Sequence, residues 1–199
     1  FSMGNQLEFA GSGELDNGLN VSLSFVLDQN DDSTAAGAAK SLNSGSPFDS
    51  HSVTISSDAL GTLTFHGEGG SSAQTAMDTT ASGDLWDNGY GISTSNDPKT
   101  SATSDNMIFY TLPTFADGVA LTTSYTPRGT GTEASSVAYG IAYTGVEGLS
   151  VHYAAGENNA DPTETADAST IKLSYAIGSI TVGASETEYD SKTASNDQD

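Results

Sequence analysis

The chain has 199 residues, 35% of them hydrophobic, with 22 glycines, no cysteine, and 5 Lys and Arg against 26 Asp and Glu for a formal charge of −21. That balance excludes nucleic acid as a natural partner, because phosphate binding needs clustered Lys and Arg, and it disfavours charge-driven attachment to anionic lipid. Disulfides and thiolate chemistry are ruled out, and no apolar run of 18 residues is present to form a membrane helix.

Low hydrophobicity with high charge is ordinarily a mark of disorder, but here the apolar residues recur every second position. Leu7, Phe9, Gly11, Gly13 and Leu15 alternate with polar or small partners, and Asp16-Asn17-Gly18 follows as a hairpin turn whose residues tolerate positive φ. Leu19, Val21, Leu23, Phe25 and Leu27 make the next alternation, a polar connection covers 28–50, and Val53 and Ile55 turn through 57–61 into Leu63 and Phe65. The stretch 69–105 has no apolar periodicity of its own and holds the single tryptophan, Trp86. Structureless connections of that length are uncommon in compact domains and usually functional or disordered. The alternation resumes at Ile108, Tyr110 and Leu112, turns at Ala116-Asp117-Gly118, and continues through Val119, Leu121 and Tyr125. Val137, Tyr139, Ile141 and Tyr143 lead through 145–148 into Leu149, Val151 and Tyr153; then, after polar 157–168, Ile171, Leu173 and Tyr175 turn at Gly178-Ser179 into Ile180, Val182 and Ala184, with Tyr189 near the end.

The spacing predicts about ten strands of roughly 8 to 10 residues, near the length that crosses a bilayer at a tilt. Tight turns alternate with longer polar connections, and the face opposite the apolar one is rich in Ser, Thr, Ala and Gly. A soluble sandwich has no reason to place every second, longer connection on one side. An antiparallel transmembrane β-barrel does, with its apolar wall outside, its polar lumen inside and its aromatic residues near strand ends. Within that fold class, 69–105 reads as a loop folded into the lumen to narrow it.

The segments GELDNGLNVSLSF, ISSDALGTLTF, MDTTASGDLWDNGYGIS and IFYTLPTFADGVALTTSY, in that order, resemble the general porins of alphaproteobacteria, the Rhodobacter type. The resemblance implies a 16-stranded outer-membrane barrel, a homotrimer in the outer-membrane lipid, that passes small hydrophilic solutes and ions. It also implies a third external loop that sets the constriction, and 69–105 matches that loop if the first strand here is the family's second. On that count the 199 residues form one barrel domain, incomplete at both ends, an internal fragment with about ten of sixteen strands. A first strand and a closing strand would lie outside it.

A pore needs wall charge and width rather than a catalytic constellation. In 69–105, Asp78, Asp84, Asp87, Asp97 and Asp105 stand against Lys99, a balance that favours cations at a constriction or else an ordinary solvated acidic loop. Trp86 and Tyr90 are expected to anchor this loop to the inner wall. Strand parity directs Glu8, Glu14, His66, Glu68, His152 and Lys172 into the lumen. The porin resemblance implies a basic cluster facing the acidic loop, yet the only arginine is Arg128, at a strand end. Two acidic groups, Asp28, Asp31 and Asp32, and Asp161, Glu164 and Asp167, are weak candidates for Ca²⁺, which takes six to eight oxygens; no EF-hand spacing accompanies them, and loop solvation is the favoured account. No cofactor is otherwise implied.

Two rival classes remain at the level of sequence. His51, His66 and His152 make no metal spacing and no Gly-x-Ser-x-Gly element is present, so the sequence is not read as an enzyme. A secreted acidic β-rich adhesin or calcium-dependent surface module would share the composition, and detergent dependence separates it from a barrel in the outer membrane.

Overall fold

The computed structural model describes residues 7–27, 48–77, 100–101, 103–104, 106–128, 134–159 and 165–192. Ten strands form one antiparallel sheet: β1 (Leu7–Glu14), β2 (Asn20–Leu27), β3 (Phe48–Ser57), β4 (Gly61–Glu68), β7 (Met107–Thr111), β8 (Val119–Thr126), β9 (Ser136–Tyr143), β10 (Leu149–Asn158), β11 (Ala166–Ile177) and β12 (Ile180–Ser191). Between β4 and β7 a small second ribbon pairs β5 (Gly70–Ser71) with β6 (Thr103–Ser104), and a single 3-10 turn covers Thr75–Met77. Each large strand pairs with the next along the chain, an up-and-down meander in which β1 and β12 are the two edges among the described residues.

The apolar periodicity translates directly into faces. Cross-strand partners share a face, so Phe9 opposite Phe25, Val21 opposite Ile55, Leu63 opposite Tyr110, and Tyr153 opposite Ile141 and Ile171 build one continuous apolar side. The Phe9 and Phe25 rings stack at 4.9 Å between centroids. That side is exposed, with Leu7, Leu23, Phe65, Tyr139, Leu173 and Val182 among its uncovered residues. In water such a surface would be an association hazard; against hydrocarbon it is the stable arrangement. The opposite side carries mostly small and polar partners, and its buried residues include Ala138, Ala154, Ala166, Ala168, Ser124 and Thr170, with Met107 and Tyr189 the large ones among them.

At one end of the sheet the connections are tight, and each of the five contains a glycine at positive φ: Gly18, Gly61, Gly118, Gly148 and Gly178. Gly118 shows why a side chain is excluded, because a Cβ there would lie 2.2 Å from the amide nitrogen of Gly145. The other end carries the connections that include 28–47 and 69–106.

Three boundaries depart from the apolar pattern. β3 begins at Phe48, ahead of its first apolar repeat. β10 and β11 extend through Gly156 opposite Ala168, Glu157 opposite Asp167 and Asn158 opposite Ala166, which shortens the connection expected over 157–168 to 159–165. These polar rungs keep a full hydrogen-bond ladder but carry no apolar signal. Tyr189 belongs to the polar face, opposite Ala168, and is buried with Ala166 and Ala168. On the outward face the apolar run ends at Val137 on β9, Ala155 on β10, Ile171 on β11 and Ala184 on β12, and Glu157, Asp167, Glu186, Glu188 and Asp190 follow it.

Leu173 sits mid-run on β11 between Val151 and Ala184. Leu173→Arg in the full-length protein is expected to cost about 2–4 kcal/mol of folding stability in bilayers, whereas Ser169→Arg, nearer the acidic rim, costs about 0–1 kcal/mol. Urea titration of refolding into phospholipid vesicles measures both.

Candidate functional site

The site is the base of the 69–105 connection, where the chain leaves the wall and comes back. It departs at Gly69 (φ 76°) and re-enters at Asn106 (φ 57°), both in the left-handed region that Gly adopts freely and Asn more readily than most residues. The Asn106 amide donates to the Gly67 carbonyl at 3.1 Å, drawing exit and entry together, and β5 pairs with β6 immediately beyond.

The outgoing limb then lies on the polar face. Ser72, Ala73 and Gln74 are all buried, and so is Ser101 on the returning limb. The Ala73 amide donates to Ser124 Oγ on β8 at 3.0 Å. Ser72 and Thr75 tighten the turn: the Thr75 amide donates to Ser72 Oγ at 3.0 Å, Ser72 Oγ donates to Thr75 Oγ1 at 2.9 Å, and Thr75 Oγ1 donates to the Ser101 carbonyl at 2.9 Å. Ser72 and Ser101 also join hydroxyl to hydroxyl. Gln74 uses both ends of its amide. Its Oε1 accepts from the Ser101 amide at 2.7 Å, and its Nε2 donates to Thr170 Oγ1 on β11 at 2.9 Å; Thr170 Oγ1 in turn meets Thr187 Oγ1 of β12 at 3.0 Å.

The wall beneath is shaped for this contact. A Cβ on Gly156 would fall 2.5 Å from Ala138 Cβ and 2.8 Å from Ser101 Oγ, so only glycine on β10 lets Ser101 approach. Nothing in the apolar periodicity marks Ser72, Gln74, Ser101, Ser124, Thr170 or Gly156. The one sequence signal is the run of small residues at inward positions of β9 to β11.

The lumen-facing residues expected from parity fall on the polar face by register. Glu8 accepts from Ser24 Oγ at 3.2 Å on the inner side of β1 and β2, and Glu14 lies opposite Asn20. His66 stands between Ser52 and Met107; Glu68 is the exception, because the bulge pairs it with His51, which lies opposite Phe25 on the apolar side. His152, bonded to Ser150 Oγ at 2.5 Å, lies between Ala142 and Lys172. The structure thus gathers two groups, one on β1–β4 and one on β10–β11. Asp78, Asp84, Trp86, Asp87, Tyr90 and Asp97, and the acidic residues Asp28, Asp31 and Asp32, lie outside the described residues, as do Asp161 and Glu164. Asp167 is on the outward face beside Glu157 and Asp190, away from the lumen.

The family model for Gram-negative porins matches residues 1–199, the whole chain. The chain belongs to the Gram-negative porin family. It is therefore a bacterial outer-membrane β-barrel protein of the channel-forming class. Among solved structures, a porin refined at 1.8 Å resolution is 18% identical with a TM-score of 0.57, the match covering 92% of this chain and 60% of that one. A mutant of Rh. blastica porin is 16% identical with a TM-score of 0.47, covering 96% of this chain and 75% of that one. No curated protein sequence matches the chain.

Substituting the wall of this porin under Ser101 gives a direct test of the packing. Gly156→Ala is expected to cost about 1–3 kcal/mol by overpacking. Gly11→Ala, where a Cβ meets nothing within 4 Å, should be near neutral. Denaturant unfolding of the full-length porin compares the two.

Proposed function

We propose that this porin passes small hydrophilic solutes and ions by diffusion, with a preference for cations, through a lumen narrowed by the 69–105 loop. The observation that carries the reading is the pinned loop base: the outgoing limb is fastened to the polar face of a sheet whose other face is apolar and exposed, and the returning limb is fastened to the outgoing one. A segment so held occupies lumen cross-section. A pore of this kind needs no catalytic residue and no cofactor, and the chain acts as a single barrel domain in this reading.

Selectivity follows from the charges placed along the path. The loop supplies Asp78, Asp84, Asp87 and Asp97 against Lys99, and the β1–β2 wall supplies Glu8 and Glu14. His152 and Lys172 add basic groups to the polar face of β10 and β11. Trp86 and Tyr90 hold the loop tip against the wall. Association into trimers fits the outward face of β1, where Gly11 and Gly13 leave room for close approach beside the Phe9–Phe25 stack. A secreted adhesin or surface module would have to keep Leu7, Phe65, Tyr139 and Leu173 in water, which counts against it.

Reconstituting the full-length protein in a planar bilayer under a salt gradient tests the proposal. Stepwise conductance with a cation-directed reversal potential is expected. Unit charges 4 Å apart in water interact by about 1 kcal/mol, so neutralising Asp84→Asn and Asp87→Asn should lower the cation-to-anion permeability ratio by up to about fivefold per charge. Channels with no cation preference would remove the loop-charge argument and leave the pore. A folded, inserted protein that conducts nothing would overturn the pore itself.

A further inference from the structure

The Gln74 side chain ties three parts of the molecule together. It belongs to the outgoing limb, accepts from the returning limb at the Ser101 amide, and donates to the wall at Thr170. It is fully buried, at 0% exposure, although it lies in no strand of the barrel wall. Four strands, β7 to β10, separate β4, where the limb leaves, from β11, where Gln74 takes hold. At about 4.8 Å per strand that arc is roughly 24 Å. The five residues from Gly69 to Gln74 reach at most about 18 Å when extended, and the Gln side chain supplies much of the remainder. The limb therefore reaches β11 by cutting inside the curve of the sheet, turning at Ser72–Thr75 as it goes.

Resting on the pore reading above, we propose that Gln74 is a latch: a positioning residue that holds both limbs of the loop against the β8–β11 wall and thereby sets the width and steadiness of the pore. The remaining opening lies along the inner faces of β1 to β4, whose residues are half-buried or exposed where those under the limb are buried. Thr170 is the latch's keeper. Its hydroxyl accepts from Gln74 and can donate onward to Thr187, so the amide is fixed in one orientation by a partner that is itself fixed. Releasing Nε2 loosens both limbs at β11, because the Ser101 amide is bonded to the same side chain, and leaves the Ala73–Ser124 bond to hold the outgoing limb at β8.

The test uses the full-length porin in planar bilayers and in solute-loaded liposomes, with Thr170→Val, Thr170→Ser and Gln74→Met. Thr170→Val keeps the shape of the keeper and removes its hydroxyl; Thr170→Ser keeps the hydroxyl; neither alters the strand ladder. Losing one such hydrogen bond shifts an equilibrium by roughly two- to tenfold. Brief closures and open-channel noise are expected to rise by that factor in Thr170→Val and Gln74→Met, with larger sugars admitted in the swelling assay, while Thr170→Ser stays at the wild-type level. Noise, conductance and size cut-off unchanged in folded Thr170→Val and Gln74→Met would overturn the latch. A Thr170→Val channel that unfolds more easily yet conducts as steadily as wild type would reduce Thr170 to wall packing, and also overturn it. In either case the wild-type conductance stands, and its absence would instead strike at the pore reading.

Discussion

Hydrocarbon offers no hydrogen-bond partner, and this constraint decides the form of the chain. Every backbone N–H and C=O that faces lipid has to be met within the protein, and an antiparallel meander meets them strand by strand. Once the backbone is committed to that ladder, side chains alternate with a period of two, and the chain has one face for lipid and one for water. The composition follows. A protein with 35% hydrophobic residues cannot fill a conventional core, but it needs none, because only alternate wall positions have to be apolar.

The same division explains why the interior chemistry is built from hydroxyls and amides. The polar face meets water, so a segment laid on it has to exchange hydrogen bonds rather than bury apolar area. The Ala73 amide does this with Ser124 and Gln74 with Thr170, itself bonded to Thr187, while Thr75 and Gln74 bond Ser101 across the two limbs. Small wall residues, Ala138, Ala154 and Gly156, let the segment come close enough for those bonds to form. Each bond contributes modestly, on the order of 1 kcal/mol, but a buried donor or acceptor left without its partner costs about 1–3 kcal/mol. The network is accordingly sensitive to any single loss.

The barrel wall was legible in the sequence because its signal is local. Val137, Tyr139, Ile141 and Tyr143 announce β9 and its outward face with no help from the rest of the chain, and Asp16-Asn17-Gly18 announces the first turn. Tyr189 follows Ile180, Val182 and Ala184 along the chain but lies on the polar face, opposite Ala168, where an apolar ring is not expected. What escaped was wet or distant. The rungs Glu157–Asp167 and Asn158–Ala166 are strand by hydrogen bonding and polar by composition, so the apolar repeat stops short of them. The Gln74–Thr170 bond joins positions 96 residues apart, between two side chains that are common on any surface. The 69–105 stretch was recognisable as a departure from the pattern, but where its base fastens depends on the wall's curvature, which no local signal encodes.

The outward boundary between apolar and acidic residues crosses the sheet obliquely. Its last apolar positions are Val137, Ala155, Ile171 and Ala184 on successive strands, and by register each lies two residues lower than the one before. A membrane surface is flat, so the line those residues trace must be level, and the strands must lean against it. Two residues rise about 6.8 Å while the next strand lies about 4.8 Å away, which puts the lean on the order of 50° from the membrane normal. At that angle each residue advances only about 2.2 Å through the bilayer, and an apolar layer about 25 Å tall takes roughly 11 residues to cross. β11 and β12, at 12 residues each, give part of their length to the apolar layer, up to Ile171 and Ala184, and the rest to the acidic rim above it.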